Sequence, residues 1–461
     1  MLKRFIGDRA FYRRVLQIAL PIVIQNGITN FVSLLDNIMI GQVGTVQMNG
    51  AAISNLLLFV FNLCVFGAVS GAGIFTAQFH GAGNAEGVRR TFRFKLLIGL
   101  LLTAAGTALF LNCGDTLISL FLKGQGSPED AAQSLRHGRE YLQVMLLGLL
   151  PFALANAYSS TLRETGQTLV PMVAGACAVV VNLCLNYVLI FGHFGAPVMG
   201  VRGAALATAV SRFVELAIVA IWTHLHSGSN PFIVGAYRSA HIGGSLLKQI
   251  LIKGTPLLLN EALWSTGMTA MNQCFSLRSL DVVGAMNIST TLGNLGSVVF
   301  LSLGNVVGIL MGQELGSQLP EKQIREDNAK LTFTSIASCL VFSLLMMAVS
   351  GLFPRIYDTT DSVRQLATRF ILIYASFMPL HAFLNAAYFT LRSGGQTGIT
   401  FLFDSGFVWV VSVPLAYFLV HFTSLPILPL YAICLGADLL KCGVGVAMLR
   451  SNRWIKNLTN T

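Results

Sequence analysis

The chain is a succession of long apolar runs broken by short polar connections. A helix needs about 20 apolar residues to cross a bilayer. The stretch from Leu96 to Phe110 with its flanks satisfies that length, as do Val170–Phe191, Leu331–Leu352 and Phe401–Val420. None of these runs shows the strict two-residue alternation of a barrel strand. Counting in this way gives six spans before residue 230, a linker at 231–245, and six spans after it. The pattern predicts an all-α integral membrane protein with about 12 transmembrane helices.

Composition agrees. Of the 461 residues, 54% are hydrophobic and only 11% charged, against about 25% charged in soluble domains. The net charge of +11 would suit a nucleic-acid partner if it were spread over one face, but it is clustered. Lys3, Arg4, Arg9, Arg13 and Arg14 crowd the N-terminus, and Arg89, Arg90, Arg93 and Lys95 follow the second span. Arg238, Lys248 and Lys253 occupy the linker region, and Arg450, Arg453 and Lys456 end the chain. Basic residues after even-numbered spans place both termini in the cytoplasm by the positive-inside rule. The charge therefore reads as topology, and a nucleic-acid partner is excluded. Eight cysteines stand singly, mostly in apolar runs and without a C-x-x-C pair, so no disulfide framework or metal site is predicted. No cleavable signal segment is predicted either.

The two sets of six spans repeat each other. Leu20-Pro21-Ile22-Val23 returns as Thr255-Pro256-Leu257-Leu258, an offset of 235. Ala77-Gln78-Phe79-His80-Gly81 is echoed at the same offset by Gly312-Gln313-Glu314-Leu315-Gly316. Leu162-Arg163-x-x-Gly166-Gln167-Thr168 recurs as Leu391-Arg392-x-x-Gly395-Gln396-Thr397, with Asn156 and Asn385 each seven residues before the arginine. Six spans per copy is an even number, so both copies run the same way through the membrane, related by an axis along its normal. The expected division is an N-terminal lobe, 1–230, and a C-terminal lobe, 231–461, related by pseudo-two-fold symmetry.

Ionisable groups inside spans are costly and mark function. Asp36 lies within the first span with no base within twenty residues on the same span. Desolvation disfavours its bare anion, which suits it to carry a proton or Na⁺. Glu261 follows Pro256 by five residues and has Trp264 one turn on, an arrangement suited to a cation. Asn182 and Asn186 share one face of the fifth span; they either bond helix to helix or lend oxygens to an ion. His381 lies two residues after Pro379; it is either a proton-binding group of its span or a satisfied packing residue. Asp438 and Lys441, at i, i+3, are expected to pair with each other. A Walker loop, H-E-x-x-H, a nucleophile elbow and a D-D-x-x-D diphosphate motif are all missing from the sequence, which argues against an enzyme or an ATP-driven pump.

These residues resemble the MATE (multidrug and toxic compound extrusion) family over about Leu16 to Arg450. The carrying motifs are Pro21 with Leu35-Asp36-Asn37-Ile38-Met39-Ile40-Gly41, the Gln78–Gly83 segment, Leu162–Thr168, Asn182-x-x-x-Asn186-Tyr187-x-x-Ile190-Phe191-Gly192, and Gly203–Thr208. The resemblance implies a multi-pass protein of the cell membrane, working as a monomer without a cofactor. It would export small, cationic organic compounds against H⁺ or Na⁺ by alternating access. It also implies a cation site at Asp36, Asn156, Asn182, Asn186 and Thr208; some members have Asp where Asn186 stands. Other members carry a seventh-span Glu and a tenth-span Asp. Here Glu261 comes one turn early, Trp264 takes its place, and His381 replaces the Asp. Glu261, Trp264, His381 and Asn385 are accordingly expected to bind substrate. A flippase for lipid-linked oligosaccharides from the same superfamily is the alternative reading.

Overall fold

The computed structural model describes residues 5–122, 127–317 and 319–459; the side chains of 32–34, 36–38 and 45 lie outside the described set. Twelve long helices follow one another: α1 (Arg9–Gly41), α2 (Thr45–Gly81), α3 (Ala85–Leu122), α4 (Pro128–Glu164), α5 (Leu169–Phe191) and α6 (Val201–Leu225). The second series is α7 (Gly244–Ser276), α8 (Leu280–Gly316), α9 (Glu321–Val349), α10 (Asp361–Ser393), α11 (Thr397–Phe422) and α12 (Ile427–Arg450). Among the described residues there is no strand.

Ten of these helices are long and apolar enough to cross a membrane, among the described residues. The two others are α1 and α7, the first of each copy, and each encloses a proline, Pro21 or Pro256. Both carry more polar residues than their neighbours, including Asn26 and Asn30 in α1 and Asn260 and Glu261 in α7. Polar stripes of this kind are excluded from lipid contact and must face protein or water.

Large apolar side chains such as Leu101, Leu111, Leu344, Leu345, Leu439 and Leu440 are exposed on the outer surface. In water this would be an aggregation hazard; against lipid tails it is the expected exterior. Helix contacts inside each copy rely on small and hydroxylated residues. Ser54 Oγ of α2, for instance, donates to the Gly138 carbonyl of α4 at 2.8 Å.

The repeated L-R-x-x-G-Q-T motif has a local cause. Gly166 (φ +86°) and Gly395 (φ +71°) hold the left-handed conformation at the ends of α4 and α10. The Gly166 N–H donates to Arg163 O (3.0 Å) and the Gln167 N–H to Leu162 O (2.7 Å). Gly395 donates to Arg392 O (2.9 Å) and Gln396 to Leu391 O (3.1 Å) in the same way. Both are Schellman caps, which need a glycine at this position.

The chain forms two compact units. One comprises Ile24–Thr76 and Asn84–Ile250, the other Met1–Val23, Ala77–Gly83 and Leu251–Thr461. In the first, the segment after α6 is pinned by bases of α3. Arg93 donates to the carbonyls of Ala236 (2.8 Å), Gly235 (2.9 Å) and His241 (3.1 Å), and Arg89 to those of Phe232 (3.2 Å) and Pro231 (3.1 Å).

Candidate functional site

In the N-terminal copy, Asn182 and Asn186 sit one turn apart on α5, both buried in an otherwise apolar helix. Asn186 Nδ2 donates to Asn182 Oδ1 at 3.1 Å. Asn182 Nδ2 in turn donates to Thr208 Oγ1 of α6 at 3.2 Å, and that hydroxyl donates to the Ala204 carbonyl at 3.0 Å. Three of the expected residues thus form one directional chain of amides and a hydroxyl across two helices. Its oxygens are hard, neutral donors of the kind that coordinate a hard cation.

Asp36 stands in α1, and its side chain lies outside the described residues. Asn156 is placed on α4 but gives its amide N–H to its own helix, at Phe152 O (2.9 Å). Asn385, its repeat counterpart on α10, does the same at His381 O (3.0 Å). The two counterparts thus make the same bond one turn back along their helices.

In the C-terminal copy, Glu261 and Trp264 share α7, and His381 and Asn385 share α10. Trp264 is 42% exposed on α7. His381 Nε2 lies 3.3 Å from Asp438 Oδ2, with its ring 5.8 Å from those of Phe300 and Tyr374. The expected Asp438–Lys441 pairing is replaced: each turns from α12 to a different helix. Lys441 Nζ donates to Asp404 Oδ1 of α11 at 2.8 Å. Helical spacing allowed the i, i+3 pair, but inside a membrane protein an acid on a facing helix is the stronger competitor.

Asp404 is not among the expected site residues, yet it joins three helices. Its other oxygen accepts from Asn260 Nδ2 of α7 at 3.1 Å, and Asn260 Oδ1 accepts from Ser405 Oγ (2.7 Å) and the Ser405 N–H (3.2 Å). Here α11 departs from α-geometry into two π-helical turns, Leu402–Gly406 and Val408–Ser412. Such bulges free backbone groups and often accompany functional sites. Glu261, next to Asn260, falls within the electrostatic reach of Asp404 and Arg392. One signal was available: Asp404 follows Thr397 by seven residues, and Gly175 follows Thr168 by the same number.

A second buried charge lies within the basic cluster that follows the second span. Lys95 is fully buried and pairs with Glu164 of α4, while also donating to Ser160 Oγ and Thr161 Oγ1, each at 3.1 Å. Among the described residues no group of three His, Cys, Asp or Glu side chains could hold a metal ion.

Comparison with known proteins fixes the family. The profile of the MatE family matches twice, over residues 21–188 and 256–418, opening each time on the proline of a copy's first helix. This chain belongs to the MatE family. A probable multidrug resistance protein NorM of Thermotoga maritima is 26% identical, over 97% of this MatE chain and 94% of its own length. The multidrug resistance protein PmpM of Pseudomonas aeruginosa is 24% identical over 90% and 85%. Among solved structures, an outward-facing multidrug resistance MATE family transporter of the MOP superfamily superimposes with a TM-score of 0.86 at 19% identity, covering 98% of this chain and 97% of that one. A mutant of the Vibrio cholerae MATE transporter VcmN also gives 0.86, at 16% identity over 97% and 99%. These structures share the fold: an all-helical, multi-pass membrane protein.

Proposed function

We propose that this chain exports small, cationic organic compounds in exchange for H⁺ or Na⁺, by alternating access and as a monomer of the cell membrane. The observation that carries the reading is the buried chain Asn186–Asn182–Thr208, which rises from the otherwise apolar α5 and crosses to α6. Polar groups in such helices cost free energy unless they serve packing or a ligand. The names of relatives that span nearly the whole chain, multidrug resistance proteins, support a drug-like substrate.

In the proposed cycle, Asp36 takes up the coupling cation, with Asn182, Asn186 and Thr208 supplying neutral oxygens around it. Neutralising that carboxylate weakens its hold on a cationic substrate. Cation and substrate need only favour different members of a two-state pair, since coupling is a difference in affinity between states. Asn156 is assigned to the same site, and Glu261, Trp264, His381 and Asn385 to the substrate.

Reconstituted liposomes loaded with a fluorescent organic cation test this. Imposed pH and Na⁺ gradients are applied separately, to the native chain and to Asp36→Asn. Efflux driven by one gradient and lost in the variant supports the proposal and names the ion. Efflux under neither gradient, with no effect of the substitution, rejects it.

A further inference from the structure

The carboxylate of Asp404 already has a cation. Lys441 Nζ sits 2.8 Å from one oxygen and Asn260 Nδ2 3.1 Å from the other. The ammonium also stands 5.1 Å from the centroid of the Phe403 ring and 6.0 Å from that of Phe407. A carboxylate, an amide and two aromatic faces are the parts from which a protein builds a seat for a monovalent or organic cation. In this chain a side chain fills it. Among the described residues, the ionisable neighbours also include Glu261 on α7, Tyr388 and Arg392 on α10, Cys442 beside Lys441 on α12, and the separate His381–Asp438 pair.

The acid is particular to this copy. Seven residues past the repeated threonine, the N-terminal copy has Gly175, and there the side chain of Gln25, which stands 235 residues before Asn260, comes to 3.2 Å of where a Cβ would lie. The frame of first helix, amide and fifth helix is therefore kept in both copies. Only the C-terminal one adds a carboxylate, and with it the lysine that neutralises it.

We propose that Lys441 is a tethered cation occupying the cation seat of the C-terminal copy, so that no mobile coupling ion binds at Asp404 and exchange is driven through the N-terminal copy alone. This rests on the coupling role proposed for Asp36. A consequence is one coupling site per transport cycle.

The test uses the full-length purified protein and measures thermal stability in NaCl against N-methylglucamine chloride at equal ionic strength, repeated across a pH series. A ligand that binds only the folded state raises the melting temperature in proportion to its occupancy. Asp36→Asn is expected to show no cation-specific shift. Asp36→Asn/Lys441→Met is expected to gain one of a few degrees, for Na⁺ or on acidification, because Asp404 is then free to take a mobile ion. Adding Asp404→Asn should remove the gain. Where the methionine variant does not fold, Lys441→Gln keeps a hydrogen-bond donor at Asp404 without the charge and is expected to gain the same shift. Failure of the folded lysine variant to gain any cation response overturns the proposal. So does a shift in Asp36→Asn that Asp404→Asn abolishes, since a mobile ion would then already sit on that carboxylate. A shift in Asp36→Asn that Asp404→Asn leaves untouched rejects instead the coupling role of Asp36, and the added response of the lysine variant still decides the tethered-cation proposal.

Discussion

Gly81 and Gly316, 235 residues apart, are each pressed against the backbone of the other's helix. A Cβ on Gly81 would fall on the Gln313 carbonyl, and one on Gly316 on the Gln78 carbonyl. Gln78 and Gln313 are separated by the same 235 residues. Between them Gly312 faces its own counterpart, Ala77, whose Cβ is 2.8 Å from the position of a Gly312 Cβ. Contacts that map onto themselves when the two copies are exchanged mark a local two-fold axis at the ends of α2 and α8. The Q-x-x-G echo of the sequence is the trace of this crossing.

Gly81→Ala and Gly316→Ala should therefore destabilise the protein to a similar extent. The obstacle is backbone, which cannot rotate aside, and overpacking of this kind costs about 1–3 kcal/mol or more. Gly443→Ala, in α12 with nothing within 4 Å of its Cβ position, should be neutral or slightly stabilising, as alanine favours helix. Melting curves in detergent of the three variants check this. Unequal losses at Gly81 and Gly316 would contradict the symmetric crossing.

The segment after α12 is held as firmly as a helix. Gln78 Nε2 donates to the carbonyls of Ser393 (2.8 Å) and Lys456 (3.1 Å), and its Oε1 accepts from the Leu458 N–H at 2.6 Å. Trp454 is 1% exposed, its Nε1 donates to Leu449 O at 3.0 Å, and its own carbonyl sits where a Cβ of Gly394 would be. Trp454→Ala should cost about 3–5 kcal/mol, the range for a buried aromatic. Gln78→Ala should cost less, about 1–3 kcal/mol, for the polar groups left unpaired. Limited proteolysis of the C-terminal segment, compared with the native chain, reads both. An undocked tail in the native chain would be cut as fast as in the variants.

Lys95 and Glu164 form the most enclosed ion pair of the first unit. Removing one partner of a buried pair strands the other's charge and costs about 3–5 kcal/mol, whereas replacing both by uncharged groups of similar size is often nearly neutral. Lys95→Met and Glu164→Gln should each lower the melting temperature sharply, and the double variant should recover most of the loss. A double variant as unstable as the sum of the two would show that the pair is not what holds these residues.

What could be read in the sequence follows the distance over which its cause acts. The twelve helices, the duplication and the L-R-x-x-G caps come from local patterns: run length, repeated prolines, and a glycine in the left-handed conformation. Asn182 and Asn186 were found because two amides on one apolar face stand out. Asp404 was passed over because its partners, Lys441 and Asn260, lie 37 and 144 residues away. Asp438 and Lys441 were joined because spacing along one helix is visible and the facing helix is not. Lys95 stands in sequence as one more base of a topogenic cluster; only packing shows that Arg89 and Arg93 hold backbone carbonyls and Glu86 near the surface, while Lys95 is fully buried against Glu164.

Thr208 separates a packing role of the amide chain from a coupling role. Its hydroxyl accepts from Asn182 and donates to Ala204 O, so Thr208→Val, nearly the same shape, removes both bonds. The cost to stability should be about 1–3 kcal/mol. Thr208→Ser keeps the hydroxyl and should restore most of it. If the chain also serves the coupling cation, Thr208→Val will weaken gradient-driven efflux well beyond the loss of folded protein, and the concentration of Na⁺ or H⁺ needed for half-maximal efflux will rise. Serine will return that concentration towards the native value. Equal ion dependence in the native chain and the valine variant, once corrected for folded protein, would assign Asn182, Asn186 and Thr208 to helix packing alone.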